Sequence, residues 1–115
     1  RSLKPGVHPG VSQMIIVLGR VEIRADCLAL AREISDEHVK RSRLEPGCLS
    51  HAVYEDPDRP GHLVFVEEWA SDLALKRHFE VPESIEFAQH LSRLASSRPV
   101  IRLLQATEIP FPRGA

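Results

Sequence analysis

The stretch M-I-I-V-L-G-R-V-E-I, Met14 to Ile23, decides the fold. It is rich in β-branched residues and too short to cross a bilayer as a helix, so it reads as a strand. Its apolar side chains fall on both faces: Ile15, Val17 and Val21 on one, Met14, Ile16 and Leu18 on the other. An antiparallel strand with one wet face alternates apolar and polar residues. A strand that is apolar on both sides belongs to a sheet that is covered on both sides.

Downstream, Arg24 to Leu44 has helical spacing, with Cys27, Leu30, Ala31 and Ile34 on one stripe. Asp26 near its start and Lys40, Arg41 and Arg43 near its end each suit the helix dipole. Glu45-Pro46-Gly47 stops it. The segments C-L-S-H-A-V-Y-E and H-L-V-F-V-E-E-W flank the turn D-P-D-R-P-G, which predicts an antiparallel pair. Ser71 is a natural N-cap for a helix through Leu75, His78 and Phe79. Pro82 breaks or restarts it, and Ile85, Ala88, Leu91 and Ala95 continue an apolar stripe. P-V-I-R-L-L-Q-A-T-E-I reads as a last strand.

The order βαββαβ is the ferredoxin-like plan of an α+β domain, a four-stranded antiparallel sheet with its helices on one face. The domain is expected over residues 14–110, with a loose arm at 1–13 and a short tail at 111–115. Helices cover one face only. The simplest cover for the other is the sheet of a second copy, a homodimer with a barrel-like interface; scattered apolar residues on an open face are the other reading.

Fifteen basic and sixteen acidic residues leave a formal charge of -1, which excludes the electrostatic footprint of a nucleic-acid or anionic-membrane binder. No apolar run reaches the roughly 20 residues of a membrane span, and no signal-peptide pattern opens the chain. Cys27 and Cys48 lack redox or zinc spacing and read as reduced thiols, with one disulfide the lesser alternative. A cytoplasmic location is expected. Phosphate loops, dinucleotide fingerprints, nucleophile elbows and zinc-protease motifs are all absent. No metal is expected either, since no two histidines stand at i and i+4 on one helix face.

The residues able to carry chemistry cluster late in the chain. Alternation puts Leu63, Phe65, Glu67 and Trp69 on one strand face, so a carboxylate and the only tryptophan are neighbours. Burial beside rings favours a neutral carboxyl unless a cation or donor compensates, which makes Glu67 a candidate acid, base or orienter. His78, nine residues after Trp69, lies on or beside the buried helical stripe next to Phe79, and imidazole suits proton abstraction near neutrality. On the second strand His51 and Tyr54 lie on opposite faces, so at least one faces the helices. Ordinary boundary packing is the competing account of each of these residues taken singly.

The run E-P-G-C-L from Glu45, a strand ending at Tyr54, a D-P-x-x-P loop, V-E-E-W and a histidine nine residues on together resemble the antibiotic biosynthesis monooxygenase (ABM) family of dimeric α/β-barrel proteins. The resemblance covers roughly Met14 to Ile109. It implies a ligand pocket between sheet and helices, dimerisation through the sheets, and oxidation of a small aromatic or quinol by dioxygen without metal, flavin or haem. On that resemblance His78 is the base or anion partner, Trp69 shapes the pocket and Glu67 orients or polarises. His51, Tyr54, Phe65 and Phe79 are then substrate-binding candidates. Two departures stand out. His78 is followed by F-E-V-P-E-S-I, so Glu83 and Ser84 stand where the family often has a histidine and an aromatic. The asparagine of the haem-degrading relatives has no counterpart, because the chain contains none. A non-catalytic or stress-related dimer that binds a small ligand is the alternative function on the same fold.

Overall fold

The computed structural model describes residues 13–112, so the expected arm lies almost wholly outside it. Strand β1 (Gln13–Glu22) is followed by a single 3-10 turn at Ala25–Cys27 and helix α1 (Leu28–Ser42). Strands β2 (Cys48–Glu55) and β3 (His62–Trp69) follow, then helices α2 (Asp72–Glu80) and α3 (Pro82–Leu94), and strand β4 (Val100–Thr107). The sheet order is β2-β3-β1-β4 with every pair antiparallel, the ferredoxin-like topology.

Two helical expectations needed adjustment. The first helix begins one turn later than Arg24, after the 3-10 turn, and Leu30 of its expected stripe is exposed. The buried face runs instead through Ala31, Ser35, His38, Val39 and Ser42. The second helical leg is two helices. Ser71 caps α2 by accepting from the Ala74 amide at 3.1 Å, and Pro82 opens α3 at its first turn, where its missing N–H costs nothing. Ile85 and Ala88, expected in the apolar stripe, are exposed; Ser84, Leu91 and Leu94 are the buried residues of α3.

The sheet is apolar on both sides. Val17, Val21, Leu63, Phe65 and Trp69 are buried under the helices, while Met14, Ile16, Leu18, Val64 and Val66 on the far face are only half-buried. The buried apolar residues form two clusters. The larger joins Val21, Ile23, Leu63 and Phe65 to Ala31, Val39, Leu91 and Leu94; the smaller joins Val17, Trp69 and Leu75.

The Glu45-Pro46-Gly47 turn ties α2 to the sheet. Gly47 has φ +85°, a left-handed conformation that side chains resist, and its carbonyl accepts from the Ala70 amide at 2.8 Å. A Cβ placed on Gly47 would stand 2.5 Å from the Ala74 Cβ on α2, a methyl with no rotamer to escape into. Gly47→Ala is therefore expected to destabilise the fold by about 2–4 kcal/mol, backbone strain plus overpacking. Urea unfolding at fixed pH measures it; a loss below about 0.5 kcal/mol would contradict the close approach of α2.

Candidate functional site

Three elements deliver three imidazoles to one place. On α1, His38 follows Ala31 by seven residues and Ile34 by four, which puts it on the buried helical face. On β2, a bulge between Cys48 and Ser50 lets Cys48 pair with Trp69 and His51 with Glu67, so both inward positions are kept although they are three residues apart. On α2, His78 is buried one turn after Leu75. The ring centroids lie 5.2 Å (His38–His51), 5.4 Å (His38–His78) and 5.6 Å (His51–His78) apart.

Two carboxylates and a tryptophan complete the cluster. Glu45, on the turn before β2, has Oε1 2.9 Å from His78 Nδ1. Trp69 is fully buried, donates its indole N–H to Glu67 Oε1 at 2.9 Å, and carries the His78 ring at 4.6 Å. His51 Nε2 stands 3.3 Å from that same Glu67 oxygen, too oblique for a good hydrogen bond, and neither of its ring nitrogens has a hydrogen-bond partner among the described residues. His38 stacks on Phe87 at 4.0 Å with planes 8° apart, and its Nδ1 lies 2.9 Å from an Arg41 guanidinium nitrogen.

The electrostatics follow from burial and these contacts. Burial works to raise the Glu67 carboxyl, but contact with His51, the Trp69 N–H and nearby His78 outweigh it, and Glu67 is held below its usual range. The neutral carboxyl that desolvation alone favours is thus not the outcome. Burial, then the proximity of His51, His78 and Arg41, push the His38 imidazole down to about 2.

The cluster opens on a cavity of about 350 Å³ between the sheet and α3. Its walls are mainly apolar, with Phe65, Phe79, Ile85, Phe87, Leu91 and Ile101 among them, and His38, Glu67, His78 and Ser84 bring polar groups to it. Ser84 is buried, and its hydroxyl has no partner among the described residues. An apolar cleft with a few convergent polar groups suits a small, mostly apolar ligand with one or two polar handles.

Of the residues expected at a site, the structure brings His78, Glu67, Phe65 and Phe79 to the cavity wall. Trp69 and His51 stand directly behind that wall, touching Glu67. Tyr54 is 60% exposed and faces the other side of the sheet, so it is not part of this cavity. His38, Glu45, Ser84 and Phe87 are additional. His38 was within reach of the helical spacing, one step of four beyond Ile34; Glu45 was not, because nothing local says where a turn residue points.

The depressed His38 has a consequence for stability. Unfolded, it titrates near its ordinary 6.5; folded, it stays neutral down to about 2. Between those values the unfolded chain binds the extra proton. Its contribution is thus complete above the unfolded value and lost as pH falls below it, by up to about 1.4 kcal/mol per pH unit. Denaturant unfolding at about pH 7, 6 and 5, where most carboxylates remain ionised, is expected to show this slope, flattened in His38→Gln. An identical slope in the variant would place the titrating group elsewhere.

Comparison with other proteins agrees with this fold. A profile of the antibiotic biosynthesis monooxygenase family matches residues 14–95. The chain is 31% identical over 86 residues to Rv0793 of Mycobacterium tuberculosis, a protein assigned by name as a monooxygenase, covering 75% of this chain and 83% of that one. It is 29% identical over 99 residues to sll1783 of Synechocystis sp., an uncharacterized protein, covering 86% and 67%. The solved structure of Rv0793 superposes with a TM-score of 0.75 at 25% identity, covering 89% of this chain and 99% of that one. A Deinococcus radiodurans structure described under the same family name reaches 0.81 at 27% identity, covering 87% and 99%. With its fold shared and more than half its length matched by the family profile, the chain belongs to the antibiotic biosynthesis monooxygenase family.

Proposed function

We propose that this protein is a cofactor-independent monooxygenase that oxidises a small electron-rich aromatic, of the quinol or anthrone type, with dioxygen. The observation that carries the reading is His78: an imidazole anchored on Glu45 at 2.9 Å, at the wall of an apolar cavity. The Glu45 carboxylate accepts from Nδ1–H, which leaves Nε2 as the basic nitrogen. Glu67 places a negative charge beside the imidazolium that forms, and the unpartnered Ser84 hydroxyl is available to a developing phenolate oxygen.

In the reaction, His78 removes a proton from the substrate. The resulting anion passes one electron to dioxygen, and the substrate radical and superoxide join in a carbon–oxygen bond. At a ring CH₂ carbon the hydroperoxide then loses water to leave a carbonyl, so one oxygen atom enters the product and the other leaves as water. The proton taken by His78 returns to the departing oxygen. The protein's part is to bind an apolar ring, exclude bulk water and move one proton.

Dioxygen uptake over a panel of hydroquinones and anthrones with chelator-treated protein tests the proposal. His78→Ala is expected to lose about 100-fold or more of the rate, the scale of a general base, and Glu45→Gln a smaller factor. Background uptake with every substrate would instead favour a dimer that binds a small ligand without turning it over. The two thiols are unpaired among the described residues, which suits a reducing compartment such as the cytoplasm; no helix there is long and apolar enough to cross a membrane.

The same reading makes the protein a homodimer joined through its sheets. What supports it is the far face of the sheet, where Met14, Ile16, Leu18, Val64 and Val66 form a contiguous apolar surface that none of the described helices covers. Sedimentation at micromolar concentration is expected to give twice the 12.9 kDa of one chain, and Ile16→Asp to give the single mass. A monomeric wild type would refute the sheet-to-sheet arrangement.

A further inference from the structure

We propose that His38, His51 and His78 together form a binding site for a divalent transition-metal ion of borderline softness, such as Zn²⁺. The three side chains are 5%, 2% and 3% exposed and come from α1, β2 and α2, so the fold and not a local motif assembles them. One ring nitrogen from each lies within 4.8 Å of the other two. Zinc–nitrogen bonds of about 2.0–2.1 Å in tetrahedral geometry set ligand nitrogens about 3.3 Å apart, so the rings close by at most about 1.5 Å on binding.

The surroundings are those of a metal centre more than of simple packing. Glu45 holds His78 Nδ1, the carboxylate–imidazole arrangement that fixes a ligand's tautomer. Glu67 stands at His51 Nε2, leaving the lone pair of Nδ1 without a partner among the described residues, in a side chain that is wholly buried. An imidazole buried without hydrogen bonds is costly, and coordination removes that cost. The two carboxylates match the charge of a divalent ion in a dry site. Three neutral imidazoles suit zinc, copper, nickel or cobalt, whereas calcium and magnesium need oxygen donors. Because His38 and His78 line the cavity, a fourth position there is open to water or a small ligand.

Arg41 is the opposing group. Its guanidinium is 2.9 Å from His38 Nδ1, so the neutral ring carries its proton on Nε2. Metal binding requires that proton to leave, or Arg41 to release Nδ1 so that the tautomer can switch. Arg41→Gln is accordingly expected to tighten metal binding.

The site shares His78 with the oxygenase proposal, but its test needs no substrate and reads metal binding alone. Chelator-stripped protein is titrated with Co²⁺, watching for the intense visible spectrum of a four-coordinate ion, and with Zn²⁺ by calorimetry. One equivalent per chain is expected. His38→Gln and His51→Gln should weaken it by about 100-fold or more, Glu45→Gln by about 10–100-fold, and His90→Gln not at all. Should a ligand variant fail to fold, ¹⁵N-histidine spectra of the wild type serve alone: Zn²⁺ is expected to shift three of the six imidazoles, those of His38, His51 and His78. No binding at micromolar metal, or binding that moves a different set of histidines, would overturn the proposal.

Discussion

A carboxylate in the middle of a sheet stays charged only if its neighbours keep it so, and the helix-facing side of this protein is arranged around Glu67. Strand alternation commits β3 to placing Glu67 between Phe65 and Trp69, under the helices. The indole N–H answers one oxygen, which fixes the tryptophan ring; the ring supports His78; and the bulge in β2 is what sets His51 opposite the same carboxylate. Remove the charge and each of these side chains loses its reason for its orientation.

The cluster is expensive. Phe65 and Trp69, four residues apart on one strand, belong to different apolar clusters, and Glu67 is the residue between them on that face. Several buried polar atoms, among them both His51 nitrogens, Glu45 Oε2 and the Ser84 hydroxyl, have no partner among the described residues. Each such group costs roughly 1–3 kcal/mol relative to a satisfied one. A fold selected for stability alone would fill these positions with Leu or Phe and merge the two clusters. Polar groups held unsatisfied beside a cavity are what a site for proton transfer or coordination requires.

The fold was legible because its signals are local. Two-sided apolar patterning in Met14 to Leu18, the turn residues at Asp56–Gly61, the Ser71 cap and the Pro82 break each act within a few residues, and together they leave one topology. The pairing of Trp69 with Glu67 was legible for the same reason, being a period-two relation on one strand. The site was legible only in part. Its assembly depends on the bulge near Leu49, which alternation does not show, and on the Gly47 turn that brings Glu45 to His78 across a sequence gap of 33 residues. Spacing rules for metal ligands compare histidines along one helix; His38, His51 and His78 come from three elements and escape such rules. Tyr54 lies away from the cavity because it alternates with His51 and Val53, and those two take the inner side.

The E-P-G-C run that first marked the family resemblance acquires a physical meaning. Glu45 orients the His78 imidazole, Pro46 and Gly47 turn the chain tightly enough for α2 to pack within van der Waals reach of the turn, and Cys48 begins the strand beside Trp69. The motif is therefore a joint between a carboxylate and a histidine that lie in different halves of the chain. That joint leaves one nitrogen of His78 free, and a nitrogen lone pair takes a proton or a metal ion but not both. On the two proposals above, base catalysis and coordination at this cluster exclude each other, and occupancy of the three imidazoles would then set whether the cavity meets its ligand with a base or with a cation.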